Sequence, residues 1–311
     1  MQALTQKKLE EAKMREMLAT DATRTLEERV EYVRHLHYDE NQEIFAVAHS
    51  SIHKAAADGS VDGIKYFLDS HRRPRIKIDD FDKSGLCPIH CAAKAGMTQC
   101  VKYLVDTGCE PDTRSTYGDT ALMHACKENK VNVVEQLFNY GIDIKLANTA
   151  GFTCIHNAAQ ADNAESIALL VKLTIDFEAK KKEDEDEDEE DDLASSIVSR
   201  RDDDSVSMAS YTTDPTENPT VKSFLNLQSR NGTTPLHIAC TYNSTKVVNL
   251  LIGHRVKLDF KDGMGDTALH KAARQGFYMI YNELKSSGAS ESITNTFGET
   301  AADLLIDNPK F

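Results

Sequence analysis

Along most of the chain the apolar positions come in short stripes of helical spacing, broken at regular intervals by a glycine and a small polar residue. One phrase recurs: CPIHCAA at Cys87–Ala93, TALMHAC at Thr120–Cys126, TCIHNAA at Thr153–Ala159, TPLHIAC at Thr234–Cys240 and TALHKAA at Thr267–Ala273. Weaker copies are SSIHKAA at Ser50–Ala56 and TAADLL at Thr300–Leu305. The fourth position of the phrase falls at 53, 90, 123, 156, 237, 270 and 303, in steps of 37, 33, 33, 81, 33 and 33. The chain is therefore an internal repeat of 33 residues. A step of 81 leaves 48 residues over, which marks an insertion at 177–224, and the step of 37 marks an extended loop around His71–Ile78.

Each unit predicts the same local structure. Gly85, Gly118, Gly151, Gly232, Gly265 and Gly298 sit two residues before the Thr or Cys, where a tight turn needs positive φ. The Thr that follows is suited to cap a helix, and Pro88 and Pro235 fall where the missing N–H costs little. Small residues such as Ala92, Ala93, Ala272 and Ala273 let neighbouring first helices approach closely. The first helix is expected to stop at Gly59, Gly96, Asn129, Asp162, Asn243 or Gly276. A second helix then shows an apolar face, as in Val133, Val134 and Leu137 or Val247, Val248 and Leu251.

The stretch NGTTPLHIAC followed by VVNLLI, within Asn231–Ile252, resembles the consensus of the ankyrin-repeat family, and the resemblance covers roughly 50–176 and 225–311. It implies an all-α fold: an ankyrin-repeat α-solenoid of helix-turn-helix repeats with protruding β-turn loops, whose concave face binds other proteins. It also implies that His53, His90, His156, His237 and His270, which share one repeat position, hydrogen-bond backbone between repeats and do no catalysis. The third repeat departs from the family with Met123 at that position, the second with Cys87 in place of Thr, and the last with Ala302 and Asp303, as in a capping repeat.

The expected organisation has four parts. Residues 1–49 form a helical N-terminal extension or cap, with Thr25-Leu-Glu-Glu28 as a capping box. Residues 50–176 hold repeats 1–4, 177–224 a disordered acidic Ser-rich insert, and 225–311 repeats 5–7 with the C-terminal cap.

Charge changes this picture at one place only. The net charge is −14, but 177–224 carries sixteen acidic and six basic residues, a net −10, so the rest of the chain is nearly balanced at −4. Ten adjacent carboxylates at Glu183–Asp192 repel one another and cannot be buried, hence the expectation of disorder. Ser199, Ser205, Ser207 and Ser210 in this segment are candidate phosphorylation sites. His71-Arg-Arg-Pro-Arg75 with Lys77 is a basic cluster that suits an acidic partner, a phosphate, this chain's own acidic run, or solvent alone.

The chemistry expected is recognition. G-x-G-x-x-G, G-x-x-x-x-G-K-[ST], G-x-S-x-G and H-E-x-x-H are all missing, so no enzyme, cofactor or metal is expected. Cys87 and Cys91 flank His90 without a second ligand pair. Seven cysteines, an odd number without paired spacing, fit a reducing compartment, and the charged N-terminus does not read as a signal peptide. Cytoplasm or nucleus is the expected location, with no membrane span, no nucleic-acid partner and a monomeric state. Tyr117, Phe152, Tyr242 and Met264 vary where the frame is fixed and are the candidate anchors for protein partners. Phe152 reads equally well as packing between turns, and Phe297 as a cover for the terminal repeat. The function expected is an adaptor or scaffold; the alternatives are a phosphorylation-regulated inhibitor resembling the ankyrin-repeat inhibitors of NF-κB, and the cytoplasmic part of a larger channel or enzyme.

Overall fold

In the computed structural model the described residues are 51–68, 76–196 and 218–306. The expected N-terminal extension 1–49, the cluster at His71–Arg75 and the four candidate phosphorylation serines lie outside them. Every described helix lies within the compact unit Ile52–Phe311.

Fourteen helices are described, and thirteen of them alternate between two layers. The first layer holds α1 (Ile52–Ala57), α3 (Pro88–Ala95), α5 (Ala121–Lys127), α7 (Cys154–Gln160), α10 (Pro235–Tyr242), α12 (Ala268–Gln275) and α14 (Ala301–Ile306). The second holds α2 (Val61–Leu68), α4 (Thr98–Asp106), α6 (Val131–Asn139), α8 (Ala164–Ser196), α11 (Thr245–Gly253) and α13 (Tyr278–Ser286). Each helix packs on its counterpart one repeat away and on its partner within the repeat. The described residues contain only two isolated β-bridges, Arg114 with Thr120 and Thr294 with Thr300, both at turn bases.

Local chemistry explains the helix ends. Thr120 and Thr234 accept hydrogen bonds from the backbone N–H groups of Met123 and His237. All six expected terminators take positive φ, including the non-glycines Asn129, Asp162 and Asn243. The small residues lie where first helices touch: Ala92, Ala93, Ala125, Cys126, Ala158, Ala159, Ala239 and Cys240 are all fully buried. The apolar stripe of each second helix closes the core, with Leu104, Val133, Leu137, Ile167, Leu170, Val247 and Leu251 at 0 % exposure.

Helical structure reaches into both ends of the expected insertion 177–224. Helix α8 does not stop at residue 176 but runs to Ser196. Extending a formed helix adds one hydrogen bond per residue fixed, and no Gly or Pro interrupts this stretch. Thr174 Oγ1 donates to Leu170 O at 2.7 Å, and Phe177 meets Phe138 edge to face at 6.3 Å. At the other edge α9 (Pro219–Leu225) buries Val221, Phe224 and Leu225 and packs on α8. Asn218 caps α9 and its amide donates to Glu178 at 2.8 Å. Composition alone missed α9 because its three apolar residues are few, and only the neighbouring helix makes them a core.

The array is continuous across the insertion. Helices α7 and α10 pack directly, as do α8 and α11. His156 Nε2 donates to Thr233 O at 3.0 Å, Arg230 N to Ala150 O at 3.3 Å, and Val247 N to Asp162 Oδ1 at 3.1 Å. The close approach requires Gly151: a Cβ there would lie 2.5 Å from Arg230 N. Gly141 also has positive φ but has open space around it. Gly151→Ala is therefore expected to cost about 2 kcal/mol or more, against about 1 kcal/mol for Gly141→Ala, where only the left-handed backbone is penalised. Urea unfolding of the two variants beside the parent chain measures the difference.

Candidate partner-binding face

Each repeat after the first presents a turn whose first residue is Asp82, Ser115, Asn148, Ser229, Asp262 or Asn295, three positions before the glycine. That side chain folds back and accepts from backbone N–H groups at the turn: Asn148 Oδ1 takes those of Ala150 and Phe152 at 3.0 and 2.9 Å, and Asn295 Oδ1 those of Phe297 and Glu299 at 2.9 and 3.1 Å. Sequence reasoning from the glycines and caps missed this position, although its fixed polar character recurs at the same period of 33.

Neighbouring turns are latched by backbone. Thr116 N donates to Gly85 O, Thr149 N to Tyr117 O, Gly263 N to Asn231 O and Thr296 N to Met264 O, at 2.7–3.1 Å. A second set of bonds lies beneath the turns. In repeats 2, 4, 5 and 6 the histidine Nδ1 accepts the backbone N–H of Cys87, Thr153, Thr234 or Thr267 at 3.1–3.2 Å. An N–H can only donate, so Nδ1 is unprotonated and Nε2 carries the proton. Nε2 then donates to a carbonyl of the next turn: His90 to Asp119 O, His156 to Thr233 O, His237 to Asp266 O and His270 to Glu299 O, at 2.9–3.2 Å. His53 reaches Asp80 O at 2.8 Å.

Two repeats break this relay. Met123 is apolar and fully packed, so α5 sends no such bond onward. Asp303 accepts from the Thr300 backbone and hydroxyl at 2.8 and 2.7 Å, and an ionised carboxylate has no proton to give a following turn.

An ionic cluster not foreseen in the sequence stands under the turn of the sixth repeat. The Asp266 side chain is 0 % exposed and receives both Nη atoms of Arg274 at 2.7 and 3.1 Å, Lys271 Nζ at 3.0 Å and Asn295 Nδ2 at 3.1 Å. Lys271 also reaches Asp262 at 2.7 Å. Burial pushes the Asp266 carboxyl upward, but bonds from Lys271 and Asn295 and the charges of Lys271 and Arg274 outweigh it and hold it below the usual value.

On this frame the candidate anchors separate. Tyr117 is 63 % exposed, Tyr242 53 % and Met264 53 %. Phe152 stacks on His156 of its own repeat with centroids 5.4 Å apart, so its ring is part of the frame. Phe297 is 71 % exposed at the last turn and joins the exposed set rather than covering the terminal repeat. Among the described residues no group of His, Cys, Asp and Glu is placed to hold a metal, and no helix is long and apolar enough to cross a membrane. All seven cysteines are free; burial pushes Cys87 and Cys91 up to about 11 and Cys109 to about 12.

A family profile described as ankyrin repeats (3 copies) matches residues 21–115, 100–181 and 208–295. The chain belongs to the ankyrin-repeat family. The first match begins inside the segment read as an N-terminal extension, and the interval 182–207 left between the last two falls within the insertion. B-cell lymphoma 3 protein homolog of Mus musculus is 20 % identical over 253 residues, covering 80 % of this chain and 46 % of that protein. The E3 ubiquitin-protein ligase XBAT33 of Arabidopsis thaliana is 34 % identical over 120 residues, 38 % of this chain and 23 % of the ligase. The chain thus spans less than half the length of the curated relatives it matches most broadly. Among solved structures, the ankyrin repeat domain of Bcl-3 superposes with a TM-score of 0.55 at 20 % identity, covering 81 % of this chain and 92 % of that one. The human ASB11 ankyrin repeat domain gives 0.55 at 22 % identity, covering 83 % and 92 %. Both likenesses are of fold.

The histidine relay carries a pH dependence. Burial is the main cause that lowers His156 to about 4, and it also lowers His90 and His237 below the ordinary value of 6.5. Between about 4 and 6.5 the unfolded chain then binds more protons than the folded one, so stability present above pH 6.5 is lost as pH falls through that window. Urea midpoints measured at pH 7.5, 5.5 and 4.5 are expected to fall in that order. His156→Gln, which cannot titrate, is expected to flatten the trend.

Proposed function

We propose that this protein is a non-catalytic adaptor that binds partner proteins on the face made by its first helices and turn tips. The reading rests on Tyr117 and Met264, exposed on turns whose backbones are latched to their neighbours, and on Tyr242, exposed at the end of α10. An anchor on a rigid support loses little conformational freedom on binding, so its apolar area goes into affinity. Cytoplasm or nucleus suits its free cysteines, and a monomer is the state proposed. A Tyr117→Ala/Tyr242→Ala variant is expected to lose captured partners roughly a hundredfold, about tenfold per anchor, with its melting temperature unchanged. Quantitative affinity capture beside the parent chain checks this; an unaltered partner profile would sink it.

A second reading is a regulatory inhibitor, favoured by the likeness over most of the chain to Bcl-3, whose ankyrin domain is described as a member of the IkappaB protein family. Here the insertion controls lifetime, with Ser199, Ser205, Ser207 and Ser210 as phosphate acceptors among acidic neighbours. Replacing 197–217 by a Gly/Ser linker of equal length, which keeps α8 and α9 connected, is expected to lengthen the cellular half-life, measured by a translation-block chase. An unchanged half-life argues for the plain adaptor.

A further inference from the structure

The cations of the first-helix face are not equivalent. Lys54 pairs with Asp58 at 2.7 Å, and Lys271 and Arg274 are neutralised by Asp262 and Asp266. Lys94 on α3 and Lys127 on α5 occupy the same repeat position on adjacent first helices. Both are exposed, and neither forms an ion pair among the described residues. Between them His124 meets His90 edge to face at 5.6 Å, and its Nε2 is buried with no hydrogen-bond partner among the described residues.

From this we infer that the first-helix face of repeats 2 and 3 is a recognition site for an acidic segment of a partner protein. The inference rests on the adaptor reading and names the chemistry of its partner. Two ammonium groups, unpaired among the described residues and one repeat apart on adjacent first helices, favour carboxylates presented along a chain. A carboxylate held by these lysines also raises the proton affinity of the buried His124 ring through its charge. After burial and His90, the charges of Lys94 and Lys127 lower the proton affinity of His124, and they are opposed by Asp119, already bound by Asn148 at 2.8 Å; Glu128 beside Lys127 is an exposed carboxylate on the same helix end. This chain's own acidic run is the poorer occupant, because α8, which carries it, packs in the second layer on α6 and α11, and on α7 and α9.

The test uses the full chain and a fluorescein-labelled decapeptide of alternating Glu and Asp, followed by anisotropy at low and physiological salt. Binding is expected to weaken with salt and to fall at least tenfold in Lys94→Glu/Lys127→Glu, with Lys94→Ala/Lys127→Ala between. The His124 ring, followed by NMR, is expected to titrate higher with peptide bound than its free value of about 4. Equal binding by the parent and the charge-reversed chain, or none by the parent, overturns the inference. A tenfold gain on neutralising Glu183–Asp192 overturns the assignment to a partner, and equal affinity for a single-stranded oligonucleotide overturns that to an acidic peptide. Failure here with partners still lost from Tyr117→Ala/Tyr242→Ala leaves the adaptor reading standing; if neither variant changes capture, both readings fail.

Discussion

A buried peptide carbonyl needs a donor, and in this protein the donor comes from the preceding repeat. The Nε2–H of His156, for example, reaches Thr233 O while Nδ1 holds the start of its own helix. One ring therefore joins the N-terminus of a first helix to the turn of the next unit, and it can do so only while neutral. Helix capping, turn geometry and repeat stacking become one cooperative system, because losing the ring strands a backbone group on each side.

The insertion shows how little that system depends on chain continuity. Thr233 follows His156 by 77 positions, yet the bond is the same as that between His237 and Asp266, separated by 29. Loop-closure entropy grows slowly with length, so a long excursion costs far less than a broken repeat junction would. The excursion adds order at its margins, where α8 lengthens and α9 covers it. A solenoid in which every contact is with a neighbour can carry such an addition without altering the repeats on either side.

The same frame sorts the surface into used and unused chemistry. Asp266 takes up Lys271 and Arg274 and leaves the sixth repeat electrostatically closed, whereas Lys94 and Lys127 stay unpaired among the described residues in the second and third. Aromatic exposure divides likewise: Phe152 lies against His156, and Tyr117 and Tyr242 stand clear. The array thus leaves lysines exposed at Lys94 and Lys127 and large apolar side chains exposed at Tyr117, Tyr242 and Met264.

The sequence by itself determined the repeat, its period and its local chemistry, because glycine at positive φ, threonine at a cap and small residues between helices are requirements met within a few residues. It also carried the polar first residue of each turn, from Asp82 to Asn295, at the same spacing. The tertiary structure decided what depends on neighbours distant in the chain. Val221, Phe224 and Leu225 became a helix only against α8, Phe152 joined the frame only because His156 lies beneath it, and Asp266 could ionise while buried only because Arg274 and Asn295 converge on it. Burial and electrostatic pairing are properties of packed space, and a linear pattern reports them only where the partner sits at a fixed and repeated distance.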